Sequence, residues 1–216
     1  MTNPAPLLPI FVKLESRPCL VVGAGVIGLQ KVNNLLECGA QVIVVAPDAN
    51  SEIAALAAAG RLVWRKQTYR PEDLEGISLA IAATNDPDVN HAVYRDATQR
   101  GVLANAVDDP PFCDFYFSSV VRRGPLQIAI STTGESPALA QQIRREVQAA
   151  LPEDIGSWLS RLGKLRREVI KDHPAGEWRN NLLKKLARRD LCDSESCPSR
   201  QMARPPKVQT ESWWLT

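Results

Sequence analysis

The sequence predicts an α/β fold, a parallel sheet with helices on both faces, followed by a smaller region of different organisation. Three observations predict it. Five short β-rich runs, CLVVG, QVIVVA, RLVWR, SLAIAAT and VLANAV, alternate with segments whose apolar residues have helical spacing. Strands that alternate with helices form βαβ units, which build parallel sheets. After residue 107 the alternation stops, and from Ser136 onward the spacing is helical.

The front elements are assigned from spacing and from helix-start signals. Asp86 can cap a helix whose first position is Pro87, a combination typical of helix starts. The predicted helical segments of this part are Val26–Cys38, Ser51–Ala59, a short piece near Pro71–Leu74, and Pro87–Arg100.

The back elements follow a different rhythm. FYFSSVVRRGPLQIAIST predicts two strands around a turn at 123–125, either as a hairpin or as an antiparallel addition to the sheet. SPALAQQIRREVQAAL predicts a helix that Ser136 caps, and EDIGSWLSRLGKLRREVIKD and GEWRNNLLKKLARRD predict two more amphipathic helices. From residue 191 the chain is polar and lacks periodicity, so 191–216 is predicted to be a disordered tail.

Composition and charge limit the class of protein. The hydrophobic share of 44% and the charged share of 23% are ordinary for a globular protein. No membrane span or signal peptide is recognisable, and Cys19 and Cys38 lie in core-like patterns that favour reduced thiols, so we expect a cytoplasmic location and no membrane partner. Residues 141–190 carry 12 basic and 7 acidic side chains. Charge alone favours a solvated helical surface over a surface that binds a polyanion.

CLVVGAGVIGLQKV places Gly23, Gly25 and Gly28 directly after a strand and at the start of a helix. In a Rossmann-type fold the first glycine permits a tight turn, the second lets the backbone approach a pyrophosphate, and the third lets the helix lie close to the sheet. The alternative is a structural glycine turn. The flanking strand and helix and the second strand QVIVVA favour dinucleotide binding.

Two features bear on the identity of the dinucleotide. An acid that binds the adenosine ribose is expected about 20 residues beyond the glycine loop, and Asp48, after Pro47, is the candidate. Because no arginine follows closely to receive a 2′-phosphate, NAD is favoured over NADP. Thr84, after the fourth strand, either binds the cofactor or caps the turn into Asn85–Asp86, and the sequence does not separate these alternatives.

Asp108 follows the fifth strand, at the sheet edge where doubly wound folds bind their ligands. An acid there lies near the expected nicotinamide ring, where it can accept a proton or stabilise a developing cation. The alternative is an Asx-turn that ends the strand before the prolines, and position alone weighs the two equally. Asp109 is predicted to be a turn residue and His91 a surface or core residue. No pattern of a resident metal site is present.

The chain resembles precorrin-2 dehydrogenase, which also forms the front half of sirohaem synthase. The resemblance rests on the glycine loop and on four further stretches: LPIF before that loop, AATN, NAVD and STTGESPALA. The similarity runs from about residue 8 to residue 165. The resemblance implies NAD-dependent oxidation of precorrin-2 to sirohydrochlorin. In some members the same site also inserts ferrous iron to give sirohaem.

Carried onto the matching positions, the resemblance implies cofactor contacts from Val26, Ile27, Pro47 and Asp48. It implies that Asp108 is the essential acid of the reaction. The residues expected to contact the substrate are Thr132, at a position where some members have serine, and, by charge and location, Arg122, Arg123, Arg144 and Arg145.

The resemblance also implies an intertwined homodimer. The predicted organisation is an NAD-binding domain over 1–113, a small α+β dimerisation and substrate region over 114–151, a C-terminal helical domain over 152–190, and the tail. Precorrin-2 is a polycarboxylate, which gives the basic excess a role. We expect a precorrin-2 or sirohydrochlorin ligand, ferrous iron as a candidate substrate, and no nucleic-acid partner.

Two other functions explain part of the sequence. A non-catalytic NAD(H)- or tetrapyrrole-sensing module would use the basic helices to bind nucleic acid, but they show no clear helix-turn-helix pattern, and Asp108 would have no role. A dehydrogenase for another substrate would leave STTGESPALA unexplained.

Overall fold

The computed structural model describes residues 6–188, of which 6–117 form one compact unit and 118–188 a second. The predicted first domain ends at residue 113, but residues 114–117 group with the first unit. The reason is that Asp114 N–H donates to Ala104 O, at 2.8 Å, and Phe115 packs against the core of this unit. The predicted tail, 191–216, lies outside the described residues.

The first unit contains a parallel five-stranded sheet in the order β3-β2-β1-β4-β5. Its strands are β1 Pro18–Val22, β2 Gln41–Val45, β3 Val63–Arg65, β4 Leu79–Ala82 and β5 Leu103–Ala106. The strand order reverses between β1 and β4, which is the point where such sheets open a crevice for ligands. The predicted α/β fold with a Rossmann-type sheet is confirmed.

Helices cover both faces of the sheet. They are α1 Val26–Glu37, α2 Ser51–Ala58 and α3 Pro87–Gln99, with single 3₁₀ turns at Pro71–Leu74 and Pro110–Phe112. Val21 belongs to a buried cluster with residues of α1 and α2, whereas its neighbour Leu20 belongs to a second cluster with residues of α3. Because successive strand residues point to opposite faces, α1 and α2 cover one face and α3 the other. Cys19 is buried as expected, but Cys38 is exposed because it lies at the C-terminal end of α1.

The second unit begins with a hairpin of β6 Ser119–Arg123 and β7 Leu126–Ile130, which forms a sheet of its own. This decides between the two predicted alternatives. The hairpin begins at Ser119 rather than at Phe115, because Phe115 packs in the first unit. Three helices follow: α4 Pro137–Ala150, α5 Ile155–Asp172 and α6 Glu177–Leu186. Of the helices within residues 6–188, none is long and apolar enough to cross a membrane.

Candidate dinucleotide cleft and acid site

A cleft of about 360 Å³ lies at the carboxyl ends of β1, β2 and β4. The glycine loop, the segments after β2 and β4, and the loop after β3 line it. Five of its lining residues are predicted cofactor contacts: Gly23, Gly25, Pro47, Asp48 and Thr84. The cleft therefore lies where the strand order reverses, as the fold requires of a nucleotide site.

The three glycines of the loop have different structural roles. Gly23 has φ +101°, and a Cβ atom there would lie 2.4 Å from Ala83 O. A Cβ atom on Gly28 would lie 2.3 Å from Gly23 O, so helix α1 lies against the loop only with glycine at that position. A Cβ atom on Gly25 would meet nothing within 4 Å. Two glycines thus permit the packing of the protein itself, and Gly25 leaves open space beside the cleft.

The N-terminus of α1 is suited to a phosphate group. Gly25 is its N-cap, and no side chain caps it. Val26 and Ile27, the next two residues, are exposed, at 75% and 44%, but their side chains are not part of the cleft lining. Free amides and the positive end of the helix dipole favour an anion at this position. The residues present therefore fit the pyrophosphate of a dinucleotide.

Electrostatics of the cleft bear on the nicotinamide cofactor. Asp48 is exposed and lines the cleft, and no Lys or Arg is among the lining residues of the described chain. A 2′-phosphate placed beside Asp48 would meet a carboxylate, with no compensating cation among the described lining residues.

Thr84 is engaged in the turn that begins α3. Its Oγ1 accepts a hydrogen bond from Asp86 N–H at 3.1 Å and lies 2.8 Å from Oδ1 of the buried Asn90. The Asn90 amide in turn donates to Thr84 O at 3.1 Å. Of the two alternatives left open by the sequence, the turn-capping role is the one that these contacts support, while the residue also lines the cleft.

The loop after β3 supplies two lining residues, Thr68 and Tyr69, that sequence reasoning missed. Tyr69 Oη donates to Asp96 at 2.9 Å. Burial, together with this hydrogen bond, raises the pKa of the Tyr69 phenol far above its ordinary value, so it stays protonated. The stretch RKQTYRPED has no motif that identifies it as part of a cleft. Only the packing of the loop shows its position.

The buried carboxylate of Asp73 holds this loop in place. Asp73 is 4% exposed and accepts hydrogen bonds from Arg65 Nη1 at 2.7 Å, from Gln67 Nε2 at 3.2 Å and from Arg70 N–H at 3.0 Å. These three donors lie on β3 and on the residues that flank Thr68 and Tyr69. The loop therefore depends on one buried acid for its conformation.

Asp73→Ala is expected to lower the free energy of unfolding by about 2 kcal/mol, because three donors lose a charged acceptor. NAD⁺ affinity should fall as well, since the loop lines the cleft. Urea unfolding measures the change in the free energy of unfolding, and NAD⁺ titration measures the change in affinity. Glu72→Ala, an exposed acid in the same turn, is the matched control and should stay within about 0.5 kcal/mol of the parent. An unchanged unfolding midpoint in Asp73→Ala would contradict this assignment.

Asp108 follows β5 at the same sheet edge. Val107 N–H donates to Ala82 O at 2.9 Å, so the ends of β4 and β5 stay side by side. Asp108 is exposed and has φ +63°, a left-handed conformation that few non-glycine residues adopt. Its carboxylate makes no hydrogen bond within residues 6–188, so the bonds of an Asx-turn are not seen in this range. Such backbone strain is often found at functional sites.

Lys31, in the middle of α1, is a further residue that could not be identified from the sequence. Its Nζ lies 3.8 Å from the centroid of the Phe117 ring. Burial lowers the pKa of the Lys31 ammonium, and the interaction with Asp108 partly offsets this shift. Helix α1 therefore brings a half-buried cation toward the acid. A lysine in a helical pattern carries no signal of such a position.

The segment after Asp108 folds back along β5, the edge strand of the sheet. Ala104 N–H donates to Asp114 Oδ2 at 2.8 Å, and Asn105 Nδ2 donates to Phe115 O at 2.7 Å. These bonds cover backbone and side-chain groups that an edge strand otherwise leaves open. Asp109, predicted to be a turn residue, begins the 3₁₀ turn, and its carboxylate lies against His91.

The predicted substrate residues all belong to the second unit. Thr132 Oγ1 accepts a hydrogen bond from Ser136 N–H at 3.2 Å, and Thr133 and Gly134 next to it have φ +52° and +88°. The four arginines lie on β6 and α4: Arg122 is exposed, Arg123 is half-buried, Arg144 donates to Gln148 and Arg145 donates to Gln142. Residues 6–188 contain no group of three or more His, Cys, Asp or Glu that could hold a metal ion.

Two family models match the chain. Residues 10–119 match a family described as NAD(P)-binding, and residues 123–150 match one described as sirohaem biosynthesis protein central. Siroheme synthase 1 of Yersinia enterocolitica is 45% identical over 168 residues, which cover 78% of this chain and 35% of that protein. Siroheme synthase of Photorhabdus laumondii is 43% identical over 162 residues, 75% of this chain and 34% of that protein. The chain thus spans about a third of the length of these curated relatives.

A solved structure agrees with these matches. The structure described as SirC, precorrin-2 dehydrogenase, superposes with a TM-score of 0.72 at 26% identity and covers 84% of this chain and 90% of its own. The glycine loop, the cleft and the sheet order described above are those of a nicotinamide-dinucleotide domain. The chain therefore belongs to the NAD(P)-binding family matched over residues 10–119, and it is similar in sequence to siroheme synthases and in fold to a precorrin-2 dehydrogenase.

Proposed function

We propose that this protein oxidises precorrin-2 to sirohydrochlorin with NAD⁺ as the hydride acceptor. The observation that carries the proposal is Asp108, an exposed acid in a left-handed conformation at the carboxyl edge of the sheet, one strand away from the dinucleotide cleft. The solved structure named precorrin-2 dehydrogenase and the siroheme synthases supply the substrate class. NAD is proposed over NADP because Asp48 lines a cleft without a cationic lining residue among those described.

The chemistry needs a hydride acceptor and a proton acceptor. Bound NAD⁺ would accept a hydride from a ring-bridging carbon of the tetrapyrrole. Asp108 accepts the proton that is lost as conjugation extends, or stabilises the cation that precedes this loss. Lys31, on α1, is a half-buried cation whose charge acts on the same part of the site. The glycine loop and α1 bind and orient the pyrophosphate.

Substrate binding is proposed to involve the second unit. Precorrin-2 presents carboxylates, and Arg side chains bind carboxylates with two parallel hydrogen bonds. The candidate contacts remain Thr132, Arg122, Arg123, Arg144 and Arg145. Removing one arginine by Arg→Ala should then raise KM for precorrin-2 more than it lowers kcat.

We also propose that the protein is a homodimer. Exposed large apolar side chains support this, because a protein–protein interface would remove them from water. In the first unit Leu8, Ile10 and Phe11 are 80%, 63% and 67% exposed. In the second unit Leu139 and Trp178 are 51% and 61% exposed. Sedimentation velocity over a concentration series tests this assembly.

The function is tested by mixing purified protein, precorrin-2 and NAD⁺ without oxygen and recording the absorbance of sirohydrochlorin and NADH. Formation of sirohydrochlorin and NADH in equimolar amounts supports the dehydrogenase. The same assay with NADP⁺ measures cofactor preference. Ferrous iron added afterwards tests for sirohaem formation. If neither product forms while NAD⁺ binding is measurable, the enzyme proposal is overturned in favour of a ligand-sensing module.

A further inference from the structure

His91 and Asp109 make a direct side-chain contact beside the candidate acid. His91 lies on α3, and its Nε2 is 2.6 Å from Oδ2 of Asp109, the residue after Asp108. A carboxylate only accepts hydrogen bonds, so Nε2 is the donor. The imidazole also stacks on the Phe112 ring, with centroids 3.8 Å apart and planes 16° apart. One side chain thus holds both a carboxylate and a ring of the segment that follows Asp108.

Asp108 needs such support because its own backbone is unfavourable. The left-handed conformation is uncommon for a residue with a Cβ atom, although aspartate adopts it more readily than most, so contacts around Asp108 are needed to hold it there. On the strand side Val107 N–H is bonded to Ala82 O, and Asp109 N–H is bonded to Ala106 O at 3.2 Å. On the other side the contact from α3 fixes the Asp109 side chain. Asp108 is therefore held between two anchored neighbours while its own carboxylate stays exposed.

The same contact separates the roles of two adjacent acids. Asp109 is half-buried and its carboxylate is occupied by His91, whereas Asp108 is exposed. Only one acid of the pair is thus available to a ligand. A carboxylate that drifts by about 1 Å loses much of its effect on a reaction, because catalysis depends on the alignment of the reacting groups.

We propose that His91 is a positioning residue: by holding Asp109 and Phe112 it fixes the backbone that aims the Asp108 carboxylate. The inference rests on the proposed function, because it assigns His91 a role through Asp108. His91 itself needs no contact with substrate or cofactor.

Three variants separate the parts of this contact. His91→Phe keeps a ring that can stack on Phe112 and removes the donor. His91→Gln keeps an N–H donor and removes the ring. Tyr94→Phe is the matched control, because Tyr94 lies on the same helix and its Oη donates to Asp114 of the same segment at 3.0 Å.

The expected result is that kcat falls when the N–H donor at position 91 is removed and partly recovers when another donor replaces it. His91→Phe should lower kcat for precorrin-2 oxidation by about tenfold to a hundredfold, with KM for NAD⁺ unchanged. His91→Gln should recover part of this loss, and Tyr94→Phe should match the parent. Hydrogen exchange, followed by mass spectrometry of the peptide over 106–112, should be faster in His91→Phe and unchanged in Tyr94→Phe.

Several outcomes overturn the inference. A parental kcat in His91→Phe, while Asp108→Asn is inactive, rejects the positioning role and leaves the proposed function intact. If Tyr94→Phe loses as much kcat as His91→Phe, any contact to the segment after Asp108 matters equally, and the specific positioning role of His91 is rejected. If the parent protein does not oxidise precorrin-2, the proposed function fails, and hydrogen exchange alone decides: unchanged protection in His91→Phe rejects the inference. Should His91→Phe not fold, Asp109→Ala removes the same contact from the other side and is judged by the same measurements.

Discussion

Asp108→Asn is expected to lower kcat for precorrin-2 oxidation by about two to four orders of magnitude, the range typical for loss of a general base. An amide cannot accept the proton, and it carries no charge to stabilise a cation. Asparagine is the informative replacement because, like aspartate, it tolerates the left-handed conformation seen at this position. The backbone should therefore stay in place while the chemistry is lost.

The measurement is steady-state turnover together with NAD⁺ titration. NAD⁺ affinity should be nearly unchanged, because Asp108 is not part of the cleft lining. Asp88→Asn makes the same chemical change at an exposed position in the first turn of α3 and should retain parental turnover. If Asp108→Asn keeps its kcat, the acid is not the base. If it loses NAD⁺ binding instead, its role lies with the cofactor.

Gly23→Ala is expected to lose stability, whereas Gly25→Ala is expected to lose NAD⁺ affinity. At Gly23 the added Cβ lies 2.4 Å from a backbone oxygen and φ is +101°, so the free energy of unfolding should fall by about 3 kcal/mol or more. At Gly25 the Cβ meets no protein atom within 4 Å. That variant should unfold at the parental midpoint yet bind NAD⁺ about tenfold to a hundredfold more weakly, because the methyl group lies where the backbone approaches the pyrophosphate.

Thermal or urea unfolding and NAD⁺ titration distinguish the two variants. Gly60→Ala is the control for backbone strain alone, since Gly60 has φ +69° and open space around it. It should lose about 1 kcal/mol, so the excess loss in Gly23→Ala measures the clash with Ala83. Parental NAD⁺ affinity in Gly25→Ala would show that the dinucleotide does not lie against this glycine.

The sequence by itself determined the order and type of the elements that build the cleft. Apolar runs with two-residue or helical spacing and helix-start signals such as Asp86–Pro87 are local features, because they depend on neighbours within a few residues. The glycine spacing likewise reports a local requirement, a turn followed by a close helix. For this reason Gly23, Gly25, Asp48 and Thr84 could be proposed from the residues themselves, while Pro47 was implied by the family resemblance, and the structure brings all five to one cleft.

Only the tertiary structure decided what surrounds the acid. Lys31 is an ordinary helical lysine in the sequence, yet the fold brings it near Asp108, 77 positions later. The sequence predicts that His91 is a surface or core residue and that Asp109 is a turn residue. In the structure, α3 and the segment after β5 place His91 Nε2 2.6 Å from Asp109 Oδ2. Tyr69 enters the cleft through a loop without a motif. Such contacts join residues far apart in the chain, and spacing along a sequence carries no information about which distant side chains will meet.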